Sequence, residues 1–73
     1  MGNHQLNSLI KMVNQIAANN THIGDEAEAA QMVASHLGKF WARSMKQQII
    51  EYRENDGSEL LPVADQAIQL MAG

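Results

Sequence analysis

Apolar residues recur at helical spacing in four stretches of this 73-residue chain, and nowhere do they alternate with the period of a strand. With successive residues about 100° apart around a helix, Leu6, Leu9, Ile10, Val13, Ile16 and Ala17 share one stripe, opposite Ser8, Lys11 and Gln15. NNTHIG at 19–24 breaks that period with turn formers and a glycine. Asp25 opens a second helix as its N-cap, with Glu28 at capping-box spacing and acidic residues at the positive end of the dipole. Ala29, Met32, Val33, His36, Leu37 and Phe40 form its apolar face, and Gly38 marks either its stop or a close approach by a neighbouring backbone. Ser44 with Gln47 predicts a third helix from Met45 to about Glu54, with Met45, Ile49 and Tyr52 inward and Ile50 pointing elsewhere. After the turn NDGS at 55–58, a last helix is expected to start between Leu60 and Pro62 and to turn Leu60, Val63, Ala67, Leu70 and Met71 to one side. The pattern predicts an all-α fold: a small single-domain bundle of three to four short helices over 1–73, with residues 1–5 disordered.

A bundle of this size buries little surface and is marginally stable alone. Without cysteine it has neither disulfides nor thiolate ligands, so stability rests on helix packing or on a partner that covers an apolar face. A net charge of −3 disfavours nucleic acid, which demands a concentrated positive patch. No apolar run approaches the roughly 20 residues of a membrane span. The opening MGNHQL lacks the charged-then-apolar order of a signal peptide, and Leu6 stands where a myristoylation signal has Ser or Thr, so a cytoplasmic protein is expected.

The residues suggest no metal, cofactor or catalytic site. His4, His22 and His36 do not pair at i+3 or i+4, and a zinc site takes three or four converging ligands. His36, amid an apolar stripe, reads as a neutral core histidine. Ser8, Thr21, Ser35, Ser44 and Ser58 fit caps, turns and exposed positions, and the carboxylates cluster in a helix start and around a turn. The five glycines are scattered and form no phosphate loop.

The distinctive stretch is HLGKFWARSM at 36–45, which sets the only Phe beside the only Trp. Lys39, Arg43 and Lys46 gather around this pair, a composition suited to a protein–protein hot spot. Helical spacing assigns Phe40 to the core, with His36, Leu37, Met45, Val13 and Ile16. Trp41, about 100° further round, falls at the rim. There it serves either as local core or as an anchor in a partner's pocket. Ile50, off its own helix's inner face, leans toward the partner.

The order of these residues resembles one family. LIKMVNQIA at 9–17, EAA at 28–30, HLGKFW at 36–41 with Met45, and LLPVADQAIQL at 60–70 together resemble the delta subunit of soluble NAD-dependent formate dehydrogenases. The pattern of that family follows Phe-Trp with Asp-Pro-Arg-Met-Arg, whereas this chain has Ala42, Arg43, Ser44, Met45 and Lys46. The cap and helix start supplied by Asp-Pro are missing, and Ser44 replaces an arginine. The resemblance implies a non-catalytic accessory subunit of a molybdenum-containing complex that passes electrons from formate through iron–sulfur clusters and flavin to NAD. Those cofactors are expected in partner subunits and none in this chain. The implied contact is the catalytic alpha subunit, reached through Trp41, Arg43, Lys46, Ile50 and Lys39, with weak homodimerisation in isolation. Two alternatives are a transient maturation factor for the same enzyme and, disfavoured by acidity, a helix-turn-helix-like nucleic-acid-binding regulator.

Overall fold

The computed structural model describes residues 4–20 and 24–72, and these form four helices: α1 (His4–Asn20), α2 (Glu26–Phe40), α3 (Arg43–Asn55) and α4 (Pro62–Ala72). Among the described residues there is no strand. His4 and Gln5 lie within the first turn of α1, which corrects the expectation of disorder there; residues 1–3 lie outside the described residues, as do 21–23 in the expected break. Helix α1 also runs on through Asn19 and Asn20, where Asn20 Nδ2 donates to the Ile16 carbonyl at 2.7 Å.

Each boundary has a local cause. Asp25 is extended, and its carboxylate accepts from the Glu28 N–H at 2.8 Å, which caps α2. Helix α2 continues through Gly38, where an added Cβ would meet nothing within 4 Å; this glycine is therefore neither the stop nor a close backbone approach. The stop comes at Phe40. Trp41 and Ala42 are both extended, with ψ of 138° and 156°, and they separate α2 from α3. Helix α3 starts at Arg43, with Ala42 as an N-cap that has no side chain to offer, so the Ser44 capping box expected from the sequence does not form. Pro62 begins α4, where its missing N–H costs nothing.

The core is built around the contact of α2 with α4, the most extensive in the fold. Ala29, Ala30, Val33 and Leu37 face Val63, Ala64, Ala67 and Ile68 among the buried residues, and the four alanines let the two backbones approach closely. Helix α1 contributes Leu9, Ile10, Val13 and Ala17, and α3 contributes Ile49. Met45, Ile50 and Tyr52 of α3, Ile16 of α1, and Leu60 and Met71 pack against this cluster while half-buried. Leu70, expected on the inner side of α4, is exposed; the buried pairs 63–64 and 67–68 turn the helix away from it.

Polar bonds fix the loop between α3 and α4. The Asn14 side chain donates to the Glu59 carbonyl at 2.8 Å and accepts from the Leu61 N–H at 2.9 Å, tying the loop to the middle of α1. The Glu59 N–H donates to Tyr52 Oη at 2.9 Å. Gly57 sits at φ +71°, a conformation that L side chains rarely adopt, with the Arg53 carbonyl only 3.1 Å from where a Cβ would be. Arg53 Nε and Asp65 Oδ1 join α3 to α4 at 2.9 Å; the pair is partly exposed and contributes about 0–1 kcal/mol.

Candidate functional site

Helix α2 carries two neighbouring rows of side chains at i, i+4 spacing. Ala29, Val33 and Leu37 make the buried row, with Trp41 buried just beyond the helix end, and Met32, His36 and Phe40 make the exposed one. The apolar face is wider than the neighbouring helices cover. Ala30, on the far side of Val33 from Met32, is fully buried and Ala34 beside it is half-buried, so burial is displaced toward that flank and the Met32 flank is left in solvent.

The two large aromatics therefore exchange the places expected of them. Trp41 is only 6% exposed and belongs to the core cluster, whereas Phe40 is 72% exposed. The physical reason is the helix end. Trp41 leaves α2 in an extended conformation, with its N–H still bonded to the Leu37 carbonyl at 3.0 Å, so its direction is not set by the helical wheel. It packs in line with Leu37, and Phe40 remains outside as the last helical residue. His36 is likewise exposed rather than core, and its ring lies 4.8 Å from that of Phe40, tilted by 44°.

An open groove of about 220 Å³ runs along this exposed row, lined by Asn20, Met32, Ser35, His36, Lys39 and Phe40. Lys39 is at its edge. Lys46 reaches back from α3, its Nζ donating to the Gly38 carbonyl at 3.1 Å, and so lies against the C-terminal turn of α2. Arg43 is exposed at the start of α3. Of the residues expected to meet a partner, Lys39, Lys46 and Arg43 thus gather near the end of α2. Trp41 does not face solvent, and Ile50 packs half-buried against the core. Leu37 and Val13 are fully buried, and Met45 and Ile16 line the core from its edge. Met32, which helical spacing points inward, is exposed, and its spacing alone carries no signal of this because the neighbouring helices decide which flank of α2 is covered.

A second depression of about 250 Å³ lies between α1 and α3, lined by Leu6, Gln48, Glu51, Tyr52 and Asn55. Gln48 Oε1 is buried there without a hydrogen-bond partner. Among the described residues no group of three or more His, Asp or Glu side chains is placed to hold a metal ion, and no helix is long and apolar enough to cross a membrane.

Comparison with known proteins places most of the chain in a family. Residues 8–68 fit the family model described as NADH-dependent formate dehydrogenase delta subunit FdsD. No curated protein and no solved structure matches the chain. The matched span takes in Asn14, the whole of α2 and α3, the loop that Asn14 and Tyr52 hold, and α4 through Ile68. By that match the chain belongs to the formate dehydrogenase delta-subunit family.

Proposed function

We propose that this chain is a non-catalytic accessory subunit that docks on the large molybdenum-containing subunit of its formate dehydrogenase through the exposed row of α2. The observation that carries the reading is Phe40, a large aromatic left 72% exposed between Lys39 and the start of α3. Phe, Met and Arg are enriched at protein–protein interfaces relative to the rest of a protein's surface. The docking residues are Phe40, Met32 and His36, with Lys39, Arg43 and Lys46 around them. Trp41 supports them from beneath by closing the core at the end of α2.

In this role the chain assists assembly or stability of a cytoplasmic complex. It binds no cofactor itself; the molybdenum centre, iron–sulfur clusters and flavin reside in partner subunits. The chain's own residues suit this division, since a sequence without cysteine has no thiolate for an iron–sulfur cluster.

The test is purification of the enzyme from cells expressing either the parent chain or Phe40→Ser. The parent is expected in stoichiometric amount with the molybdenum subunit, and Phe40→Ser is expected to be depleted from the complex. Burial of a Phe side chain is worth about 1.5–3 kcal/mol, or roughly a tenfold to hundredfold change in affinity. Absence of the parent chain from an active, fully loaded enzyme would instead identify a transient maturation factor.

A further inference from the structure

Resting on that docking reading, we infer that the partner surface receiving α2 is an apolar hollow rimmed with carboxylates. The chain separates its charges. Lys39, Arg43 and Lys46 all lie between Ala29 and Ile50, a stretch with none of the eight Asp and Glu residues. The rest of the chain carries those eight carboxylates against Lys11 and Arg53 alone. Among the described residues the ion pair formed is Arg53 with Asp65, and the three cations around α2's end meet no carboxylate within the fold.

Two of these cations have a reason to be there that needs no partner. Lys39 lies in the last turn of α2, and Lys46 donates to the Gly38 carbonyl, so both complement the negative end of that helix dipole. Arg43 has no such reason. It is the first residue of α3, where the dipole is positive, the first turn holds no acidic residue and the N-cap Ala42 offers no side-chain acceptor. A cation at an uncapped helix start opposes local electrostatics, and rules of this kind are broken where function demands it. Arg43 is exposed, three residues from Phe40, and its guanidinium suits bidentate pairing with a carboxylate.

The apolar residues choose between occupants. A single-stranded nucleic acid could stack a base on Phe40, but it would be held by only three cations on a chain of net charge −3 and would offer no apolar cover for Met32. A protein hollow with acidic edges satisfies both.

The experiment titrates the full-length chain onto the formate dehydrogenase complex prepared without it, at low and high NaCl. Arg43→Glu is expected to weaken binding at least tenfold while leaving the isolated chain's thermal midpoint unchanged or higher, because Glu favours a helix start. Parent affinity is expected to fall with salt, and less steeply in Arg43→Glu. If Arg43→Glu and Lys39→Glu both bind like the parent at every salt concentration while Phe40→Ser weakens binding, the acidic rim is refuted and the docking face stands. If all three variants bind like the parent, the docking face fails and the inference with it. Retardation of single-stranded DNA by the parent, abolished by Arg43→Glu, would overturn it in favour of nucleic acid.

Discussion

At the scale of single residues, Phe40 and Trp41 show how one backbone change reverses a side chain's role. Neighbours in the chain, they differ by about a dozenfold in fractional exposure because the helix ends between them. Truncating Trp41 removes a buried indole from the row of Ala29, Val33 and Leu37 and leaves a cavity beside them. Large-to-small changes of this kind cost about 3–5 kcal/mol. A core of this size supplies about the same amount in total. Trp41→Ala is therefore expected to unfold the isolated chain at room temperature, as read by loss of helical circular dichroism. A variant that keeps a cooperative melt within a few degrees of the parent would place Trp41 outside the core after all.

At the scale of elements, the all-helical character and the starts of α2 and α4 were legible in the sequence, because Asp25 with Glu28 and the Leu60–Pro62 stretch are local signals. Three helices and four were both compatible with the sequence. What was not legible depended on tertiary approach. Helical spacing puts Met32, His36 and Phe40 on the same face as Val33 and Leu37, and only the position of α4 against Ala30 and Val33 determines which flank is covered. The start of α3 differs from its expected place for a related reason. Ser44 with Gln47 has capping-box spacing, yet the helix begins a residue before that serine, behind an extended Trp41–Ala42 pair that carries Trp41 into the core. Packing decided this boundary and left α3 uncapped. The extended backbone at Ala42, with φ −66° and ψ 156°, is already that of an N-cap. Ala42→Asp is accordingly expected to stabilise the isolated chain by about 1 kcal/mol. A shift of that size raises the thermal midpoint by about 4–8 °C in a domain of this length. An unchanged midpoint would mean that the introduced carboxylate does not reach the free N–H groups of α3.

At the scale of the whole molecule, a slender core and an uncovered face are two aspects of one allocation of apolar residues. The described chain measures 38 × 21 × 18 Å, and α2 is the element that contributes both to the core's largest contact and to the exposed row. Covering the row by a partner should therefore be felt in the core beneath it. A partner that binds only the folded form adds about 2.7 kcal/mol to stability at a free concentration 100-fold above Kd. That is comparable to the intrinsic stability of a domain this small. Amides that exchange only through global unfolding, such as those of Val33, Ala67 and Ile68 deep in the α2–α4 contact, would then exchange about 100-fold more slowly in the complex than in the free chain. The protection should extend to α4, which packs on the buried row of α2 rather than the exposed one, and Phe40→Ser should remove it throughout. Slowing confined to Met32, His36 and Phe40, with Val33, Ala67 and Ile68 unchanged, would mean that the partner does not require the folded core, and it would separate the docking face from the stability of the core.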